Sequence, residues 1–193
     1  DLRLGEEMIL AAMHPDYRRK LRKAGRTGVE VLVHECPDER TTHEFVSAYG
    51  ALAAQRSLVC PDPAVLARMY ASGDALLFIA RRPQGDKSYL HIYTSGETAL
   101  FMYGVNEARE NDGAGQYLQW QAMRTLIGRG FSWYDLGGVA HVDPSDGIYN
   151  FKEKFGGALV GLGTDWRYAG KSANLALDLY HSLRSVRQSL RPL

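Results

Sequence analysis

The chain has 193 residues, 45% of them hydrophobic and 23% charged, with a formal net charge of +1. This composition belongs to a folded globule, one domain or two small ones, and excludes a disordered chain. Charge so close to balance makes no demand for nucleic acid, and no apolar run approaches the roughly 20 residues that cross a bilayer, so no membrane insertion is expected. In chain order, residues 6–24, EEMILAAMHPDYRRKLRKA, read as one basic helix or as two parted near Pro15. Met13, Tyr17 and Leu21 recur every four residues and give it an apolar stripe. Arg18, Arg19, Lys20, Arg22, Lys23 and Arg26 lie between and after them.

Residues 29–35, VEVLVHE, read as a strand. TTHEFVSAYGALAAQRSL reads as a helix capped by Thr41 or Thr42, and DPAVLARMYASG as a shorter one with Pro63 in its first turn. Three strand candidates follow, 75–82, 88–95 and 98–105, joined by turn-like PQGDK and SGE. They predict an antiparallel meander over 75–105. Residues 115–130 read as a helix with Tyr117, Trp120, Met123, Leu126 and Ile127 on one face, and FSWYDLGG (131–138) as a strand. That helix would be the crossover between parallel neighbours. Residues 158–169 read as a last strand and 172–190 as a helix capped by Ser172. The expected fold is an α/β domain, a mixed and mostly antiparallel sheet flanked by helices.

Metal and covalent chemistry find no foothold. Cys36 and Cys60 lack the paired spacing of a zinc site, and the six histidines are scattered. The cysteines read as free thiols of a reducing, cytoplasmic compartment. There is no nucleophile elbow, no phosphate-cradling glycine loop of the Walker kind and no His-Glu-x-x-His pair. No signal peptide is evident. The sequence starts at Asp1 rather than at a methionine, so a targeting segment or an N-terminal domain is compatible with it.

Three features carry possible chemistry. Gly113 and Gly115 precede the 115–130 helix. They are either a turn or exposed amides facing an anion, as where a GNAT acyltransferase holds the pyrophosphate of acyl-CoA. The six cations of residues 18–26 either follow a nucleic acid backbone or form a solvated face. The loop DGIYNFKEKFGG (146–157) sets Lys152 and Lys154 among Phe151 and Phe155. Extended, it would put both lysines on one face. Helical, it would put both phenylalanines on one face with Lys152 beside them. The lysines are then either solvated or partly desolvated cations with a strengthened field. Asp135, Asp143 and Asp146 read as satisfying loop amides rather than as metal ligands.

Taken together, three stretches resemble the FemX/FemAB family of aminoacyl-tRNA-dependent transferases of peptidoglycan bridge formation. MHPDYRRKLRKAGRTGVEV is similar to the basic helix and strand that open the family's second GNAT-like subdomain. GQYLQWQAMRTLIGRGFSWYDLGG is similar to its helix–strand pair, and DGIYNFKEKFGG to its Gly-(Ile/Leu)-Tyr-x-Phe-Lys-x-x-Phe-Gly signature. The resemblance implies a single GNAT-like (acyl-CoA N-acyltransferase-like) domain over 1–193, the second subdomain alone. It implies transfer of an aminoacyl group from tRNA to the free amine of a peptide-like acceptor, with no cofactor beyond the charged tRNA. Phe151 and Lys152 would then lie by the aminoacyl end, with Lys152 stabilising charge. Tyr149 would help shape the slot, Tyr103 with Phe101 would face the acceptor, and Lys154 is a secondary candidate. Arg18, Arg19, Arg22 and Lys23 would follow the RNA. Before the short helix, where the family often places an Arg and a Tyr for its acceptor, this chain reads VCPDPAV. Of the aromatic pair expected in its third meander strand, Phe101 and Tyr103, only Tyr103 carries a hydroxyl. A smaller peptide or peptidyl natural product is therefore as compatible an acceptor as a peptidoglycan precursor. Acyl-CoA-dependent N-acyl transfer, and a non-catalytic RNA- or partner-binding half-domain, are the alternatives from other classes.

Overall fold

The computed structural model describes residues 1–108 and 112–163. Residues 1–158 form one compact unit. After a 3-10 turn at Leu2–Leu4, the basic N-terminal segment divides into α1 (Gly5–Ala12) and α2 (Pro15–Arg26). The break falls where Pro15 lacks an amide hydrogen, and that lack is harmless only in a first turn. His14 caps α2, its ring nitrogen accepting from the Asp16 amide.

Strand β1 (Glu30–His34) is followed by α3 (Glu39–Arg56) and α4 (Pro63–Ala71). Asp38, not a threonine, caps α3: its carboxylate accepts from the Thr41 amide at 2.7 Å. The meander is β2 (Ala75–Arg81), β3 (Lys87–Ser95) and β4 (Thr98–Asn106). Helix α5 (Ala114–Gly128) then crosses to β5 (Trp133–Asp135). The sheet order is β1-β2-β3-β4-β5, antiparallel except for the parallel β4–β5 pair. The expected strand over 131–138 contracts to three residues, because the chain leaves the sheet at Leu136. Residues 158–163 hold no regular structure. The rest of the strand expected there, and the 172–190 helix, lie outside the described residues.

Helices cover both faces of the sheet. On one face Leu76, Phe78, Ala80, Leu90 and Ile92 meet Tyr17 and Leu21 of α2 and Leu118, Met123 and Leu126 of α5. On the other, Leu77, Ile79 and Tyr89 meet Phe45 and Tyr49 of α3 and Leu66 and Tyr70 of α4. Each fully buried Leu, Ile or Phe contributes about 1.5–3 kcal/mol. Helix α5 departs from the expected stripe: Gln116 and Gln119 are buried with its apolar residues. Gln119 accepts from the Tyr134 hydroxyl at 2.6 Å, which satisfies it below the sheet surface.

Candidate active site

The site grows from a mismatch between two strands. Strands β4 and β5 pair only at Thr98–Trp133, Ala99–Tyr134 and Leu100–Asp135. β4 then runs on to Asn106 while β5 ends, so the sheet splays open beside Phe101. One residue later β4 bulges. His91 pairs with Tyr103 and Ile92 with Phe101, leaving Met102 as the extra residue. The bulge reverses the alternation. Phe101 packs with the α2/α5 cluster and Tyr103 with the α3/α4 cluster. Phe101 and Tyr103, expected as a pair, therefore stand on opposite faces of the sheet.

Past β5 the chain turns at Gly137, whose φ of +76° favours glycine. A side chain there would also stand 3.3 Å from the Phe101 carbonyl and 3.5 Å from Lys152 Nζ. Asp135 accepts from the Gly137 amide at 2.7 Å. The loop returns through Asp143, which accepts from the Ser145 amide, and Asp146, which caps α6 (Gly147–Glu153) by accepting from Ile148 and Tyr149. All three aspartates thus hold loop amides, as expected. Among the described residues no three His, Cys, Asp or Glu side chains gather as a metal site.

Within the 146–157 segment, Gly147–Glu153 is helical and the chain turns at 154–156, so of its two possible geometries the one that brings the phenylalanines together is realised. Phe151 and Phe155 pack edge to face at 5.3 Å, and Tyr17 joins Phe155 at 4.9 Å. Lys152 projects to the splay, where its Nζ donates to the Gly138 carbonyl at 2.7 Å. An ammonium has three N–H bonds, so two remain for an incoming oxygen. Burial pulls the Lys152 pKa below the ordinary lysine range, and the nearby Asp135 carboxylate partly restores it. Lys154, two residues on, lies about 200° around the helix axis. It is the C-cap of α6, and its carbonyl accepts from the His14 amide at 2.9 Å. The two lysines therefore do not share a face. Tyr149 is half-buried on the same short helix.

Behind Tyr103 lies an aromatic nest that the sequence reading missed. Tyr103 meets Tyr49 edge to face at 5.1 Å and His91 at 5.6 Å. His91 is fully buried, stacks on Phe45 and shares a 2.8 Å hydrogen bond with the Tyr70 hydroxyl. Burial lowers its pKa to about 4, so it is neutral near pH 7.

Of the two glycines at the start of α5, Gly113 serves packing, and Gly115 lies inside the helix with open space around it. A side chain at Gly113 would meet Lys20 of α2 at 2.8 Å. The Ala114 amide donates to the Asp112 carboxylate, which also holds the buried Arg82 guanidinium at 2.6 Å. A carboxylate thus stands where the phosphate reading needs an anion. On α2, Arg19, Arg22, Lys23 and Arg26 line an open pocket of about 300 Å³ with Thr27. Arg18 is half-buried beside them.

The FemAB family model matches residues 87–169. Over that segment the chain is similar to the FemAB family. The FemAB segment contains β3, β4, α5, β5 and α6, and with them Phe101, Tyr103, Tyr149, Phe151, Lys152 and Lys154. The basic residues of α2 precede it. No curated protein sequence matches the chain. The fold is similar to that of FemX, with a TM-score of 0.67 at 15% identity over 79% of this chain and 56% of FemX. This chain therefore spans just over half the length of FemX. It is also similar to the C-terminal domain of a putative lysylphosphatidylglycerol synthetase from Agrobacterium fabrum (TM-score 0.54, 16% identity, 76% of this chain and 54% of that one). A ribosomal-protein-alanine N-acetyltransferase from Brucella melitensis biovar Abortus 2308 matches at TM-score 0.53 and 16% identity, over 74% of this chain and all of its own. The fold is GNAT-like.

Proposed function

We propose that this chain carries the aminoacyl-transfer half of a Fem-type enzyme. It moves an aminoacyl group from charged tRNA to the free amine of a peptide-like acceptor in the cytoplasm. The observation that carries the reading is Lys152, set within the FemAB segment at the open seam of β4 and β5 with its Nζ at Gly138. A tRNA ester is already activated, so no covalent nucleophile is needed. The amine nitrogen attacks the ester carbon and a tetrahedral oxyanion forms. The carbon–ribose oxygen bond then breaks, and the ribose hydroxyl leaves with the proton the amine gives up, directly or through water. Lys152 holds the oxyanion with the N–H bonds that Gly138 does not use. Phe151 and Tyr149 wall the ester end. Tyr103, on the opposite face, meets the acceptor, and Arg18, Arg19, Arg22 and Lys23 follow the RNA phosphates. Lys154 faces away from this centre and has at most an outer contact.

An acyl-CoA donor is less well supported, because Asp112 caps α5 where a pyrophosphate would bind. The test is Lys152→Ala in a transfer assay with charged tRNA and an amine-bearing peptide. The expected result is a kcat lower by about 10²–10³-fold in a protein that still binds the RNA. Full activity in the variant would refute the assignment.

A further inference from the structure

Helix α6 is seven residues long, too short to hold its own shape in water. Its position must come from what it touches, and what it touches is the start of α2. The His14 amide donates to the Lys154 carbonyl at 2.9 Å. Gly156, at φ +78°, passes so close to α1 that a side chain there would stand 2.5 Å from the Ala12 carbonyl. Between these two contacts sits Tyr17, buried under the rings of Phe151 and Phe155.

The decisive detail is a carbonyl the helix leaves out. At the end of α6 the Lys154 amide reaches Asn150, the Phe155 amide reaches Lys152 and the Gly156 amide reaches Glu153. The tightened last turn skips Phe151, and the Tyr17 hydroxyl donates to that carbonyl at 3.1 Å. The peptide unit so fixed is the one that joins Phe151 to Lys152. We infer that Tyr17 is a positioning residue for Lys152: its hydroxyl sets the backbone from which the ammonium reaches the β4–β5 seam. This rests on the proposed role of Lys152.

Burial raises the Tyr17 pKa and keeps the hydroxyl protonated as a donor. The groups facing it are Gln116 of α5, Asp16 of its own helix and Lys20, whose Nζ lies 5.8 Å from the ring. Those facing Lys152 are Asp135 and the Gly138 carbonyl. Helix α2 thus has two working sides. Its outer face carries the arginines that line the basic pocket, and its inner face holds the helix that bears the lysine.

The test is Tyr17→Phe, which removes the hydroxyl and keeps the ring contacts. The Nζ titration of Lys152 is followed by NMR of lysine-labelled protein, with the signal identified through Lys152→Arg. In the wild type, Lys152 titrates below the ordinary lysine range. In Tyr17→Phe the ammonium is expected to loosen into solvent and its titration to move up toward the other lysines. In parallel kcat is expected to fall about five- to tenfold with KM for charged tRNA unchanged. An unchanged Lys152 titration, with or without a lower melting temperature, overturns the inference and leaves Tyr17 as packing. The titration needs no donor, so it decides the positioning role even if wild-type protein fails to use charged tRNA. That failure would instead count against the proposed function.

Discussion

The two faces of the sheet are held together by different means. On the α2/α5/α6 face, hydrogen bonds to backbone carbonyls decide the geometry: Tyr17 to Phe151, His14 to Lys154, and Lys152 itself to Gly138. On the α3/α4 face rings dominate: Phe45, Tyr49, Tyr70, His91 and Tyr103 pack in one nest, with a buried hydrogen bond between Tyr70 and His91. The bulge at Met102 hands one side chain of β4 to each face. A charge placed to a fraction of an ångström needs directional contacts, and aromatic packing alone supplies shape with little direction. Under the proposed function, the first face would hold the reacting ester and the second the acceptor.

The largest effect that separates the faces comes from acid. Unfolded His91 takes a proton below its ordinary 6.5, while the folded one stays neutral until about 4. Only the unfolded state gains protons in that window, so stability falls as pH drops through it, by about 3 kcal/mol in all. Urea unfolding at pH 7 and pH 4.5 should show the loss in the wild type and a flatter response in His91→Phe. An equal slope in both would show that the nest is not the acid-sensitive element.

On the other face, Gly156→Ala should cost roughly 1–3 kcal/mol, because φ +78° and the Ala12 backbone leave no room for a methyl group. Thermal melts would read that cost, and kcat should fall with it because α6 is dislodged. Smaller still, Tyr103→Phe should raise KM for the acceptor about fivefold, near 1 kcal/mol, with KM for charged tRNA unchanged. A change in the tRNA term would break the division of labour between the faces. The smallest effect concerns Arg22 and Lys23: neutralising each should lower the salt slope of RNA binding by about 1 and spare kcat. An unchanged slope would reduce this part of α2 to a solvated face.

The unequal legibility of the two faces follows from the same contrast. The meander, the parallel β4–β5 pair and the crossover by α5 were readable, because turns, alternation and length leave local marks. The 146–157 segment stood out through its Fem-like signature, but its spacing alone fitted an extended or a helical geometry equally, and only the structure places Phe151 and Phe155 together. The nest was not readable: Tyr70 and His91 meet across 21 residues, and neither belongs to a local pattern. Phe101 and Tyr103 looked like one pair because a bulge leaves no mark in alternation. Gln116 and Gln119 were missed on α5 because polar residues in a stripe read as surface until Tyr17 and Tyr134 are placed beside them. Arg82 looked like a strand end, and its partner Asp112 lies 30 residues away.

Donor use tests the proposed aminoacyl transfer most directly. Purified protein, an amine-bearing peptide and either labelled aminoacyl-tRNA or labelled acetyl-CoA would be incubated in parallel. The expected result is transfer from the charged tRNA, abolished by ribonuclease and by Lys152→Ala, with none from acetyl-CoA. Transfer from acetyl-CoA alone would contradict it, and would return the chemistry to the Asp112-capped start of α5.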